Sequence, residues 1–202
     1  LVIFKQARKD DWMFFLTGDE SWFFFIEDFE IQWLRSDEKP STRSKRIISS
    51  PKRMITVFWS PKGFQIIEML PHGSKFNSDY FINVILSKIA KKFNKKRSNT
   101  MILHMDNARP HRSKDSQNFA SKNGLSLCPH PAFSPDLAPS DFYLFGKVKN
   151  HLKGFEFTSE DELFESIKKI LLSITKEELE SVMIEWEKRL QACIDNGGDY
   201  IE

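Results

Sequence analysis

Three aspartates, Asp19, Asp106 and Asp141, stand in short polar runs that interrupt apolar segments of the chain. Carboxylates without accompanying Cys or His ligands suit hard divalent cations such as Mg²⁺ or Mn²⁺. Two such ions can break and join phosphodiesters, one activating the attacking oxygen and the other stabilising the leaving one. The three side chains are therefore candidate catalytic residues and metal ligands, provided that the fold brings them together.

Each aspartate by itself also has a purely structural interpretation. Asp141 falls at a predicted helix start, where an acidic side chain is stabilising for reasons unrelated to catalysis. Asp106 suits a polar turn after a strand, and Asp19 suits a buried, hydrogen-bonded carboxylate. Asp136, close to the third candidate, is interpreted as a turn former. The evidence for a site lies in the joint pattern, and three clustered carboxylates would raise at least one pKa by mutual repulsion.

The elements that must position these residues follow from the apolar patterning. The β-prone run 12–26 predicts a long central strand that carries Asp19. Since side chains alternate along a strand, Asp19 and Glu20 must point to opposite faces, so only one of them can enter a shared site. Residues 54–59 and 64–70, separated by a turn signal, predict a hairpin.

Shorter elements carry the other two aspartates. We predict a helix capped by Asn77 or Ser78, a strand at 100–105 that delivers Asp106, a helix at 113–122, a strand at 125–128, a proline-containing loop at 129–139, and a helix from about Ser140 with Asp141 in its first turn. Capping boxes at Thr158 and Thr175 predict two amphipathic helices in the tail. This order indicates an α/β fold resembling a ribonuclease-H-like mixed sheet flanked by helices, with a C-terminal helical pair.

Charge is distributed unevenly along the 202 residues. Residues 1–154 carry a net balance of +10 and residues 155–202 one of −8, which together give the formal charge of +2. A basic body suits a polyanionic partner, because Lys and Arg neutralise phosphates, although a merely solvated surface explains it as well. The two cysteines lack metal-ligand spacing, and no apolar run approaches the roughly 20 residues of a membrane span. We expect a reduced intracellular location and no membrane partner.

The sequence around the aspartates carries a family resemblance. The three runs read TGDESW at 17–22, HMDNARPH at 104–111 and SPDLAPSD at 134–141, with 34 residues between Asp106 and Asp141. With these motifs and the closing GDYIE at 198–202, the chain resembles the catalytic domain of a mariner-type DNA transposase, from about Phe15 onward.

This resemblance implies cut-and-paste transposition. Water would hydrolyse a phosphodiester at the element end, and the freed 3′-hydroxyl would attack double-stranded target DNA, usually at TA. It implies two Mg²⁺ or Mn²⁺ ions held by Asp19 and Asp106, with Asp141 completing one coordination shell. It also implies a nuclear protein and a homodimer at full length. Residues 1–202 are expected to form one catalytic domain, with a core at 12–154 and helices at 155–202, and the start at Leu1 suggests a piece that lacks the family's N-terminal DNA-binding region.

Several residues are further candidates for DNA binding or support of the site. Residues 27–51 form a basic inserted segment, which the resemblance implies to be a clamp reaching a partner subunit and which could equally be a floppy loop. Trp33 and Leu34 are candidate anchors of that clamp. The candidate DNA contacts are Arg43, Lys45, Arg46, Lys52, Arg53, Arg109 and His111. The last two would contact a phosphate or the pentavalent intermediate, or else cap the following helix. Asn107 is a candidate for orienting a metal-bound water or a ligand carboxylate.

Three alternatives stay open at this stage. His104 and His111 flank Asp106 and allow a zinc site, although no Cys or His partner spacing accompanies them. A domesticated, non-catalytic DNA-binding module would keep the basic surface and lose the metals. A different ribonuclease-H-like nuclease would cut DNA without joining it.

Overall fold

The computed structural model describes residues 1–26, 51–93 and 100–199. In this part of the chain the strands are β1 (Phe15–Phe24), β2 (Lys52–Ser60), β3 (Gly63–Met69), β4 (Met101–His104) and β5 (Leu125–Cys128). The helices are α1 (Val2–Lys9), α2 (Ser78–Tyr80, π-helical Phe81–Leu86, then Ser87–Phe93), α3 (Arg109–Arg112), α4 (Lys114–Lys122), α5 (π-helical Ser140–Phe145, then Gly146–Leu152), α6 (Glu160–Ser173) and α7 (Lys176–Asp195). Across the same ranges, no helix is long and apolar enough to cross a membrane.

The strands form one mixed sheet in the order β3-β2-β1-β4-β5. β1 pairs antiparallel with β2, and β2 with β3, because a tight turn joins the predicted hairpin. β4 pairs parallel with both β1 and β5. Parallel pairing needs a crossover connection, and helices provide it: α2 precedes β4, and α3 and α4 lie between β4 and β5. The predicted central strand, hairpin and short strands are thereby confirmed, and the segment that carries Asp19 lies in the middle of the sheet.

Alternation along β1 gives the sheet two buried faces. Phe15 and Phe23 point to one face, where they join a core formed with α1, α5, α6 and α7. Leu16 points to the other face, where it joins Phe58 and the helices α2 and α4. The result is a three-layer arrangement with helices on both sides of the sheet, and the two faces of β1 look toward different helices.

The N-terminal end of β1 differs from its prediction. The strand begins at Phe15 rather than residue 12, because Asp11 and Trp12 adopt left-handed φ angles of 51° and 58° and turn the chain. Before this turn lies α1, whose Phe4 ring packs edge-on between Trp12 and Trp186 at centroid distances of 5.0 and 5.1 Å. An aromatic cluster therefore holds α1 and the start of the central strand against α7.

The C-terminal helices pack on the sheet face that carries Phe15 and Phe23, but the N-cap of α6 differs from its prediction. Ser159, not Thr158, is the N-cap of α6, and its hydroxyl accepts from the Glu162 N–H at 3.2 Å. Thr158 instead donates its hydroxyl to the Glu162 carboxylate at 2.9 Å, so the capping interaction is shared between neighbours. Thr175 caps α7 as predicted, accepting from the backbone of the third residue of the helix.

Gly18 allows the closest approach of side chains to the central strand. A Cβ at this position would lie 2.4 Å from Cδ1 of Phe58, which is fully buried in the neighbouring strand. We predict that Gly18→Ala lowers the free energy of unfolding by about 1–3 kcal/mol, because the ring has to move within a packed core. Denaturant unfolding monitored by circular dichroism measures the change.

Gly146→Ala is the matched control for this substitution. Gly146 is exposed, helical at φ −60°, and has open space around its Cα. The alanine there should raise stability by about 0.5–1 kcal/mol, because it reduces the entropy of the unfolded chain without a clash. Equal effects of the two substitutions would contradict the close packing of Gly18 on Phe58.

Candidate active site

The parallel register of β1 and β4 aligns the first two candidate aspartates. Thr17 pairs with His104, the last residue of β4. Asp19 and Asp106 each follow two residues later, so the chain brings them level where β4 ends. The electrostatic interaction between the two carboxylates reflects this proximity. Asp106 thus lies at the carboxyl end of a parallel strand, where open α/β sheets commonly bind ligands.

The start of α5 brings the third aspartate to the same place. Ser140 is buried, and its hydroxyl accepts a hydrogen bond from the Trp59 indole N–H at 3.2 Å, which fixes the helix start on β2. Asp141 follows in the first turn, where its backbone N–H donates to Ala138 at 2.9 Å. Its side chain is hydrogen-bonded to that of Asp19. The structure therefore brings the three predicted aspartates together, while their catalytic role stays a prediction.

Crowding and burial change the ionisation of two of these carboxyls. Burial, followed by the charges of Glu20 and Asp141, raises the pKa of Asp19 to about 8. Burial and the charge of Asp106 also raise the pKa of Asp141, although its hydrogen bond to Asp19 partly offsets this. Near neutral pH, Asp19 holds a proton and donates it to Asp141. The repulsion predicted for three clustered carboxylates is thus relieved by a shared proton in the metal-free protein.

Asp106 behaves differently because donors face it. Its Oδ1 accepts from Nδ1 of His111 at 2.7 Å and from the Ala108 N–H at 3.0 Å. Burial alone would raise the pKa of Asp106, but these hydrogen bonds lower it below its ordinary value. Asp106 is therefore ionised at neutral pH, whereas Asp19 is not.

His111 is part of the interior, which corrects its predicted role in DNA contact. Its ring is 1% exposed and packs against Phe81 at a centroid distance of 4.6 Å. Nε2 lies 3.2 Å from Glu20 Oε2, an ion-pair distance without the alignment of a hydrogen bond. Burial lowers the pKa of His111, but the hydrogen bond to Asp106 and the Glu20 carboxylate outweigh it and raise the pKa to about 10. A ring with both nitrogens directed at carboxylates has no surface for a phosphate.

Glu20 is the site residue that the sequence reasoning missed. Alternation correctly places it on the face opposite Asp19, and from this we predicted that only one of the two carboxylates enters the site. Its side chain is only 9% exposed and reaches Asp106 indirectly, through His111. A glutamate in the middle of the predicted central strand was the available signal, because a buried carboxylate needs a partner.

Asn107 and Arg109 lie close to Asp106 along the chain. The hydrogen bonds shown for the Asn107 side chain go to His130 and Arg112 rather than to a carboxylate of the site. Asn107 donates its side-chain N–H to the His130 carbonyl at 2.6 Å and accepts from Arg112 at 3.3 Å. It thereby holds the loop that follows β5, which is a different contact from the predicted one. Arg109 is exposed at the start of α3, and its predicted DNA contact stays a prediction.

The two histidines of the zinc alternative lie on opposite faces of the sheet. His104 packs against Trp186 at 4.6 Å, and its nitrogens are hydrogen-bonded to Thr17 at 2.9 Å and to His130 at 3.0 Å. Burial, followed by the neighbouring His130, lowers the pKa of His104 to about 3. His111 packs on the other face, so the pair does not share a site. Among the residues that the structure describes, no three His, Cys, Asp or Glu side chains are arranged to hold a metal ion.

An open cavity of about 390 Å³ adjoins the carboxylates. Asp106 and Asp141 line one side of it, and the loop after β5 lines the other, including His130 and Phe133. The Phe133 ring is 99% exposed, and its backbone adopts a left-handed φ of 55°.

The basic residues predicted to bind DNA are separated by the structure. Arg43, Lys45 and Arg46, with Trp33 and Leu34, lie outside the described residues. Lys52 is exposed, and its ammonium lies 4.5 Å from the centroid of the Trp22 ring. Arg53 is ion-paired with Glu160 and its side chain is only 13% exposed, while its predicted DNA contact stays a prediction. It links β2 to the first turn of α6.

The carboxylate set fits hard divalent cations in its chemistry. The three oxygen-donor side chains lie close enough for their charges to interact, and burial together with this repulsion raises the pKa of Asp19 and of Asp141, which a bound cation would oppose. Asp106 is already ionised, so it could bind first, whereas Asp19 has to lose its proton. The residues therefore fit Mg²⁺ or Mn²⁺ better than zinc.

Comparisons with known proteins agree with this fold. The family model described as "Transposase (partial DDE domain)" matches residues 28–103, a span that includes none of the three aspartates. The Mariner Mos1 transposase of Drosophila mauritiana is 27% identical over 217 residues, covering 100% of this chain and 60% of its own length. The human histone-lysine N-methyltransferase SETMAR is also 27% identical, over 93% of this chain and 28% of its own length. The chain thus spans less than two thirds of the curated relatives it matches.

Solved structures of the same transposase share the architecture. The Mos1 paired-end complex with the left transposon end superposes with a TM-score of 0.84 at 22% identity, covering 100% of this chain and 60% of that one. The isolated catalytic domain of Mos1 gives 0.76 at 22% identity, covering 100% of this chain and 91% of that domain. The predicted ribonuclease-H-like fold class is confirmed. The family model, the sequence relatives and the shared fold together identify the chain as related to the catalytic domain of mariner-type transposases.

Proposed function

We propose that the chain is the catalytic domain of a DNA transposase that cleaves and transfers strands with two divalent metal ions. The observation that carries this proposal is the meeting of Asp19, Asp106 and Asp141 at the end of β4. These residues come from three separate segments, and burial together with the mutual repulsion of the carboxylates raises the pKa of Asp19 and of Asp141. Burying three neighbouring carboxylates costs free energy unless a cation neutralises them. Such a cluster is therefore expected where a bound cation is part of the function.

The cofactor and the nucleic-acid partner follow from this site. The two ions, Mg²⁺ or Mn²⁺, would be held by Asp19, Asp106 and Asp141. When bound, they supply activation of the attacking oxygen and charge stabilisation at the leaving oxygen. The solved Mos1 complexes are described as containing transposon ends, and others as containing Mg or Mn, which supports double-stranded DNA and these ions here.

The chain's own residues prepare the site before DNA binds. His111 and Ala108 hold Asp106 ionised and fixed, while Asp19 and Asp141 share a proton that has to leave when the site is loaded. Arg109 is exposed and follows Ala108, which lines the cavity, and we propose that it neutralises a phosphate of the incoming strand. We extend the proposal to a nuclear protein that acts as a homodimer at full length, on transposon ends and TA-containing targets.

Cutting and joining of a labelled duplex test this proposal. A fluorescent oligonucleotide carrying a 3′-hydroxyl end and an unlabelled TA-containing plasmid should give both nicked duplex and plasmid-joined label with Mn²⁺, and neither with EDTA. Joining requires a metal-dependent strand transfer, which a simple nuclease does not perform. Nicking without joined product at any DNA concentration would favour the alternative of a different ribonuclease-H-like nuclease.

A non-catalytic DNA-binding module is the second candidate. The human relative is named as a methyltransferase, so a related segment occurs in a protein named for another chemistry. The intact carboxylate set argues for retained metal binding in this chain. Calorimetry separates the two candidates, since saturable Mn²⁺ binding supports catalysis. DNA binding without any Mn²⁺ binding would support the module.

A further inference from the structure

We propose that Glu20 and His111 are positioning residues that hold the Asp106 carboxylate in the orientation needed to bind a divalent cation. This inference rests on the proposed function and names residues from the sheet face opposite Asp19 as part of the same site. The two side chains do not touch substrate in this arrangement. They act through Asp106.

The hydrogen bonds that the structure shows for the Asp106 side chain are both made through one of its two oxygens. Oδ1 accepts both from the His111 ring at 2.7 Å and from the Ala108 N–H at 3.0 Å. Two donors on one oxygen fix the rotation of the carboxylate about its Cβ–Cγ bond. The Asp106 side chain is 45% exposed and lines the open cavity together with Asp141. The second oxygen is therefore the one presented to a ligand in the cavity.

The His111 ring is itself held from two sides. Phe81 and Phe76 pack on it at centroid distances of 4.6 and 5.8 Å, and Glu20 Oε2 lies 3.2 Å from the far nitrogen. Glu20, His111 and Asp106 are thus connected by consecutive polar contacts. Glu20 holds the His111 ring, and the ring in turn holds the Asp106 carboxylate. Hydrogen-bonded partners of metal ligands generally orient those ligands in this way.

Fold stability is a poor reason for this arrangement. Burying an ion pair costs desolvation that its attraction often fails to repay, so well-packed apolar residues would stabilise the layer equally well. Oε1 of Glu20 is also buried without a hydrogen-bond partner in the described part of the chain, which adds to the cost. A role in orienting Asp106, which belongs to the carboxylate cluster, explains why charged Glu20 and His111 are buried here.

The experiment measures Mn²⁺ affinity by titration calorimetry, together with thermal unfolding of the metal-free protein. His111→Ala should weaken Mn²⁺ binding about 10- to 100-fold, as loss of such a partner typically does. His111→Asn keeps a donor that reaches Asp106 and should stay within about threefold of the unaltered protein. Glu20→Gln removes the outer charge and should weaken binding about 3- to 10-fold.

Ser116→Ala is the matched control for a purely structural role. Ser116 is fully buried in the adjoining helix, and its hydroxyl donates to the Pro110 carbonyl at 2.7 Å without contacting Asp106. Its loss should lower the unfolding temperature and leave Mn²⁺ affinity unchanged. For Glu20→Gln the positioning role predicts the reverse: Mn²⁺ affinity should fall while the unfolding temperature changes little.

The outcomes separate this inference from the proposed function. If the unaltered protein binds no Mn²⁺, both fail. If it binds Mn²⁺ and a folded His111→Ala binds equally well, only the positioning role is overturned. Should His111→Ala not fold, Glu20→Gln decides: unchanged affinity overturns the inference, and weakened affinity with a normal melting curve supports it.

Discussion

Asp106→Ala is expected to lower Mn²⁺-dependent cleavage by at least about 10³-fold, because metal charge stabilisation is worth several kcal/mol and each 1.4 kcal/mol is tenfold in rate. Asp19→Ala and Asp141→Ala should have effects of the same order. Cleavage of a labelled duplex under single-turnover conditions measures the rate. Asp106 should also be the most damaging for Mn²⁺ affinity, since it is the carboxylate already ionised at neutral pH.

The control for this series is Asp115→Ala. Asp115 is an exposed aspartate in the first turn of α4, so its replacement removes the same charge from the protein away from the carboxylate cluster. Its cleavage rate should match that of the unaltered protein. Full cleavage by any one of the three cluster variants, in pure protein, would count heavily against the assignment.

Asp19→Asn is expected to stabilise the metal-free protein above neutral pH and to flatten its pH dependence. The unfolded carboxyl loses its proton near pH 3.8, whereas burial and the neighbouring carboxylates raise the folded pKa to about 8. Between these values the folded state binds the extra proton, so stability falls as pH rises from about 4 to 8. Asparagine removes this loss, so the free energy of unfolding of Asp19→Asn should exceed that of the unaltered protein by an amount that grows from pH 4 to pH 8.

Denaturant unfolding at several pH values checks this expectation. The unaltered protein has a second source of decline, because the folded pKa of His111 is raised from 6.5 to about 10 and its contribution is lost as pH rises across that range. The difference between the two proteins isolates Asp19, since His111 is present in both. Parallel stability curves from pH 4 to 8 would show that Asp19 ionises normally.

Metal binding should reverse the protonation of Asp19. At pH 7, Mn²⁺ binding should release about one proton, and affinity should rise up to about tenfold per pH unit until pH 8, because the ligand has to be deprotonated. Calorimetry in two buffers of different ionisation enthalpy measures the released proton. Asp19→Asn should bind Mn²⁺ weakly and release none. A pH-independent affinity between 6 and 8 would place the metal elsewhere.

Local patterning predicted much of this fold because local physics determines it. The hairpin, the Asn77 cap and the Thr175 cap depend on neighbouring residues, and each is confirmed. Where two neighbouring residues could both cap a helix, the prediction was off by one residue: Ser159, not Thr158, is the N-cap of α6. The start of β1 was displaced for a similar reason, since the turn at Asp11 and Trp12 depends on the aromatic contacts of α1.

The sequence by itself determined the fold class and the three aspartates that meet, because alternation, apolar runs and the motifs around each carboxylate are written along the chain. Only the tertiary structure decided that Glu20 reaches the site through His111, and that Arg53 forms an ion pair with Glu160. Both outcomes depend on which side chains meet across layers, and periodicity gives the face of a residue without giving its partner. The same packing raises the pKa of Asp19, because burial and the charges of neighbouring carboxylates depend on the folded structure and cannot be derived from the order of residues.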